Sequence, residues 1–239
     1  MAQVINTNVA SLFAGAALNK SNMALQTAQA RLSSGLRINS SKDDATGLSI
    51  ATGYDSQVRG TNIAIRNAND AVSKAQTLDG YAAQVTENLQ RLHEIFVQTS
   101  DAATTESTAL IAENSRIAAL TTTGLPGTVT VDGSGGTVTG QSAALAGPAG
   151  ATAAAVLTDI TAVTASRAKY GADMAVFSSA VSTMQTASVN LSASFSRIMD
   201  TDYAAETTAM TRNNILQQAG TAVLAQANQT PNTVLSLLR

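Results

Sequence analysis

TNIAIRNANDAVSKAQTLDGYAAQVTENLQRLHEIFVQ, residues 61–98, decides the fold. Through it Ile65, Val72, Ala75, Leu78, Ala82, Val85, Leu89, Leu92 and Phe96 recur at steps of three, four or seven. On a backbone that turns once every 3.6 residues, that spacing lines them along one face. It predicts one long helix whose apolar seam needs a partner. From Val156 the same periodicity returns through Ile160, Val163, Ala168, Met174, Phe177, Val181, Met184, Leu191, Phe195 and Ile198. Two long tracts of comparable length joined by a short segment predict antiparallel packing.

Between them, a break near Thr99–Thr105 precedes a shorter predicted helix, Glu106–Leu120. Thr128-Val129-Thr130-Val131 and Thr137-Val138-Thr139 then flank the glycine-rich Asp132-Gly133-Ser134-Gly135-Gly136. Alternating β-branched arms around such a turn predict a β-hairpin. The Ala/Gly-rich stretch Ser142–Ala155 follows, with Pro148 as a breaker.

Outward again, both ends read as helices rich in Ala, Asn, Gln, Ser and Thr, with thin apolar stripes. In the first, Ile5, Val9, Leu12, Ala16 and Met23 form one line, and Leu18, Leu25 and Leu32 a second at heptad spacing. Two stripes on one helix suit a rod with more than one neighbour. The last helix carries Met210, Ile215, Leu216, Ala219, Val223, Leu224 and Ala227, until Pro231 disturbs it before Val234, Leu235 and Leu238. Residues 34–60 are mixed, punctuated by Gly35, Gly47, Gly53 and Gly60, with Asp43 or Asp44 placed to cap a following helix. Arg31, Arg37, Lys42, Asp43 and Asp44 flank this junction and are expected to form ion pairs between copies of the chain, the alternative being a solvated loop.

The expected fold is therefore mainly α: a long antiparallel helical bundle with a coiled-coil-like terminal helix pair and one small β-hairpin. Its expected parts are 1–33 with 203–239 as terminal helices, 34–60 as connector, 61–120 with 156–202 as bundle, and 121–155 as hairpin and surface loop.

Composition narrows the function. Hydrophobic residues are 44%, but alanine dominates them and aromatics are only 3%. A fully buried Leu, Ile or Phe contributes roughly 1.5–3 kcal/mol and Ala far less, so close helix contacts between small residues replace a deep core. The net charge of −2 and the lack of a basic stripe argue against nucleic-acid binding. Without cysteine, disulfides and zinc–thiolate sites are excluded. No run of about 18 apolar residues suggests membrane insertion, and Met1-Ala2-Gln3-Val4-Ile5-Asn6 does not read as a secretory signal. His93 lacks a second histidine four positions on, because Val97 stands there, so the zinc-protease helix pattern fails. Gly133-Ser134-Gly135-Gly136 lacks the Lys-Ser/Thr ending of a phosphate loop. Asp200 and Asp202 read as a helix-junction cap. No enzyme and no cofactor are expected.

Leu32-Ser33-Ser34-Gly35-Leu36-Arg37-Ile38-Asn39-Ser40, with Lys42-Asp43-Asp44-Ala45 and Gly47-Leu48, resembles the signature of bacterial flagellin. Arg66-Asn67-Ala68-Asn69-Asp70, Ala75-Gln76-Thr77 and Asn88-Leu89-Gln90-Arg91 match further blocks. So do Ser196-Arg197-Ile198 with Asp200, Asp202, Tyr203, Ala204 and Glu206, and the run from Ile215 to Arg239. The resemblance covers roughly 1–117 and 165–239. It implies a filament subunit for swimming motility, extracellular in the flagellum and exported without a cleaved signal peptide. Its termini would fold on assembly. The terminal helices would line the filament's inner tube, through Ile5, Val9, Leu12, Leu18, Met23, Leu25, Leu32, Ile215, Leu216, Val223, Leu224, Val234, Leu235 and Leu238. Implied partners are other copies of the chain, an export chaperone and a cap protein. Arg91, Glu94, Ile95 and Glu113 match positions through which some flagellins engage a Toll-like innate receptor. The alternatives are a minor hook–filament junction protein or a flagellin-like surface adhesin. The chain departs from the family pattern at Thr122-Thr123-Gly124-Leu125, at Met174-Ala175-Val176-Phe177, and at His93 and Phe96.

Overall fold

Asp44 starts the decisive helix well before its apolar seam begins. Its carboxylate accepts the Gly47 N–H at 2.8 Å, satisfying one of the donors a helix leaves free at its first turn. A Cβ at position 47 would stand 2.4 Å from Asp44 Oδ2 and 2.8 Å from Ile38 Cδ1, so only glycine fits under this cap. The computed structural model describes residues 7–123, 125–130, 135–145, 147 and 150–237, with side chains for all of these except 123 and 230–237. The elements in order are α1 (Val9–Ser34), α2 (Ala45–Thr99), α3 (Thr105–Thr123), β1 (Thr128–Thr130), β2 (Thr137–Thr139), α4 (Ala153–Met199) and α5 (Tyr203–Leu237). The fold is the mainly helical one expected. β1 and β2 pair antiparallel, Val129 opposite Val138. Val131 and most of the expected turn lie outside the described residues.

The chain divides into two compact units, residues 54–193 and residues 1–53 with 194–239. Helices α2 and α4 contribute to both.

In the unit 54–193, Thr61, Ala64, Ala68, Ala71, Ala75, Leu78, Ala82, Val85, Leu89, Leu92 and Phe96 are all buried, at alternating steps of three and four. The second half of this seam is the one expected. In the first half, Ile65 and Val72 only flank it, and Ala64, Ala68 and Ala71 take the centre. Small residues there give room to Phe177 and Met184 of α4, which pack against them. On α4, Val156, Val163, Tyr170, Phe177 and Met184 are buried at every seventh position. An ion pair, Arg167 Nε to Asp79 Oδ1 at 2.8 Å, ties α4 to α2 beside this core. Ile117 and Ala118 of α3 complete the larger cluster. Asn88 of α2 donates to Asn114 Oδ1 of α3 at 2.8 Å.

The segment after β2 is held by buried polar side chains. Asp173, 3% exposed, accepts the backbone N–H groups of Gln141 and Ser142 as well as the Ser142 hydroxyl. Tyr170 donates its hydroxyl to Ala143 O, and Thr121 Oγ1 accepts the Leu145 N–H.

In the other unit, Ile38, Ala51 and Met199 form a small core with Leu36, Leu48, Phe195 and Ile198 around it. Gly35 ends α1 in the left-handed conformation at φ 72°. Arg37 N–H then donates to Met199 O, and Thr201 N–H to Gly35 O. Three expectations are corrected. Gly47, Gly53 and Gly60, read as punctuation, lie inside α2, because the Asp44 cap and the seam outweigh a cost near 1 kcal/mol per glycine. The short helix runs Thr105–Thr123, beyond the expected Leu120. Helix α5 continues through Pro231, which removes the N–H that would have served Ala227 O; Asn8 Nδ2 donates to that carbonyl instead, at 2.8 Å.

Candidate assembly surface

The two terminal helices pair antiparallel, since Asn8 meets Ala227, Leu18 meets Gly220 and Arg31 meets Glu206. On α1 Ser11, Ala14, Leu18, Ser21, Leu25, Ala28 and Leu32 are shielded at steps of three and four, with Gly15, Asn22 and Arg31 half-buried beside them. On α5 Glu206, Met210, Asn213, Gln217, Gly220, Leu224 and Ala227 are half-buried, with Ala209 and Asn214 beside them. Outside this seam several large apolar residues stay exposed. Val9, Leu12, Phe13 and Met23 of α1 are each more than 60% exposed. Ile215, Leu216 and Val223 of α5 are between 47% and 60% exposed. A groove of about 450 Å³ between the helices carries Phe13, Leu216 and Val223 on its walls.

The two stripes read from α1 therefore have different fates. The line Leu18, Leu25, Leu32 packs on α5, and the line Val9, Leu12, Met23 faces outward. Ile5 and Leu238, and the side chains of Val234 and Leu235, lie outside the described residues. Phe13 was missed, because it sits off both stripes by one position.

The junction residues are mostly occupied within the chain. Arg37 donates from Nε and Nη2 to Ile198 O. Asp43 accepts Asn39 N–H, Ser40 N–H and the Ser40 hydroxyl, and these bonds, the hydroxyl's first, hold its carboxyl below the ordinary range. Asp44 caps α2. Arg31 Nη1 stands 3.8 Å from Glu206 Oε1, a partner the sequence reading did not supply. Lys42 is exposed, and no ion pair reaches it among the described residues.

Arg91 on α2 pairs with Glu94 at 3.2 Å and with Glu106 of α3 at 3.0 Å. Glu113 pairs with Arg116 at 2.6 Å. Ile95 is only 5% exposed, on the inward side of α2, while Arg91 and Glu94 of the same helix face out. His93 is half-buried, and its Nδ1 has no partner among the described residues. Asp202 caps α5 by accepting Ala204 and Ala205 N–H groups. Among the described residues no group of three His, Asp or Glu side chains is placed to hold a metal, and no helix is long and apolar enough to cross a membrane.

Comparison with known proteins adds the family. The bacterial flagellin N-terminal helical region matches residues 5–133, and the bacterial flagellin C-terminal helical region matches residues 154–238. Flagellin D of Vibrio cholerae serotype O1 is 31% identical over 376 aligned positions that span all of both chains. Flagellin D of Vibrio anguillarum is 30% identical over the same extent. A flagellin of Salmonella rubislaw is 51% identical over 107 residues, 45% of this chain and 22% of the relative. The chain thus aligns with less than a quarter of the Salmonella protein's length.

Proposed function

The chain belongs to the bacterial flagellin family, and on that premise we propose that it is a structural subunit that polymerises into the flagellar filament for swimming. The observation that carries the proposal is the unburied apolar face of α1 and α5. Their mutual seam contains Ser, Asn, Gln, Glu and Gly, so little burial is gained when the two helices meet alone. Ordering a residue's backbone costs roughly 1–2 kcal/mol, and a thin seam cannot offset that over two helices. Other copies, covering Phe13, Leu12, Ile215, Leu216 and Val223, supply the missing burial.

In this reading the ends are unordered in a dilute monomer and fold as the subunit joins the polymer. Contacts between unlike faces whose rotation does not close into a ring permit unlimited growth. The filament is extracellular, with export that leaves no cleaved signal. An export chaperone, a cap protein and an innate receptor enter the proposal only through the resemblance, and a catalytic role does not enter it. A junction protein or an adhesin is not favoured by the match at both ends of the chain.

The test is seeded growth followed by electron microscopy. The full chain is expected to elongate short filament fragments, and a variant lacking residues 1–30 and 205–239 is expected to stay monomeric with residues 61–198 helical. Polymerisation of that truncated variant sinks the proposal.

A further inference from the structure

Resting on the filament reading, we propose that a pocket beside the α1–α2 junction, built on Arg31 and Lys42, receives an acidic side chain from a second copy of the chain. The pocket holds about 320 Å³ between α1 and the turn 39–43, with Gln26, Asn39 and Ser40 also on its walls. Two observations point to a missing anion. Arg31 Nε is buried without any hydrogen-bond partner, which is rare for a charged donor. Among the described residues its one ion pair, to Glu206, runs from Nη1 and is long at 3.8 Å. Lys42 lines the same pocket with a free ammonium. The one carboxylate on its walls, Asp43, is near enough to feel the Arg31 charge, but its hydrogen bonds all go to Asn39 and Ser40 and leave Arg31 Nε unpartnered among the described residues.

The chain's own acids single out the donor. Among the described carboxylates, only Asp70 and Glu87 have neither a hydrogen bond nor an ion pair in their own chain. Asp70 shares a small cleft with Lys74, one helical turn away. Glu87 has no such cation, because Arg91, its neighbour one turn on, is held by Glu94 and Glu106. Glu87 is exposed on α2 and is the carboxylate that fits. A pocket and a donor on different parts of the surface make the contact heterologous, as open polymers require.

The test is seeded growth of the full chain, reading the critical monomer concentration at rising sodium chloride. Lys42→Gln is expected to raise that concentration by about fivefold at low salt, the scale of one exposed pair, and to flatten its salt dependence. Lys42→Arg is expected to behave as wild type. Lys42→Glu is expected to grow poorly and to recover when combined with Glu87→Lys. Circular dichroism of each monomer checks that Lys42, which has no ion pair among the described residues, leaves folding unchanged. Wild-type growth with an unaffected Lys42→Gln variant overturns this inference and leaves the filament reading standing. A charge swap restored by Asp70→Lys and not by Glu87→Lys overturns the choice of donor. No growth by the wild type overturns the filament reading itself.

Discussion

Asn8 uses both ends of its amide, and neither use shows in the sequence. Its Oδ1 accepts Ser11 N–H and caps α1, while its Nδ2 satisfies the carbonyl that Pro231 leaves without a partner on α5. Asn8→Asp keeps the cap and loses the donor, so one carbonyl stays unpaired at a cost of about 1 kcal/mol. The critical concentration for growth is expected to rise by about fivefold, measured by sedimentation of seeded filaments. Glu113 offers a test of a different kind. The hydrogen bond from Arg116, and then its charge, pull the Glu113 carboxyl below the ordinary value of 4.5. A carboxyl lowered in the folded chain favours folding above its unfolded value, and that contribution fades as pH falls through the folded value. An NMR titration is expected to give a midpoint under 4.5, and Arg116→Gln is expected to bring it back. Asp173 and Tyr170 were equally invisible in advance. A single polar side chain inside an apolar period carries no local sign of the distant backbone it will hold.

Helical elements were far more legible, because a seam at steps of three and four is a local property. The positions from Ala75 to Phe96 were read correctly, and the hairpin was placed by its β-branched arms. The reading slipped where bulk and burial part company, at Ile65 and Val72, since the buried partners there are alanines facing Phe177 and Met184. The terminal pair shows the same logic. Gly220 lies against Leu18, and an added Cβ would already stand 3.2 Å from Leu18 Cδ1. Gly220→Val is therefore expected to prise the seam apart, and Leu216→Ser to spoil the outer face. Both are expected to abolish seeded growth while the thermal melting of the monomer, which reports residues 54–193, stays within about 0.5 kcal/mol of wild type. A melt shifted by several times that amount contradicts the assignment of these residues to assembly alone.

Across the whole molecule, the sequence announced an unfinished structure more clearly than it announced which contacts finish it. Thin apolar stripes at both ends predicted helices with several neighbours, and Val9, Leu12, Met23, Ile215, Leu216 and Val223 do stand exposed in a single chain. Four of the five junction charges have partners inside the chain, and spacing alone does not distinguish such partners from those in a second copy. On the proposed reading the stability of the ends belongs to the polymer, while the core around Leu78, Leu89, Phe96 and Tyr170 belongs to the subunit. Hydrogen exchange followed by mass spectrometry measures that division directly. Amides in α1 and α5 are expected to exchange freely in the dilute monomer and at least about a hundredfold more slowly in the filament, with α2–α4 protected in both. Terminal helices already as protected in the monomer as in the filament contradict the account.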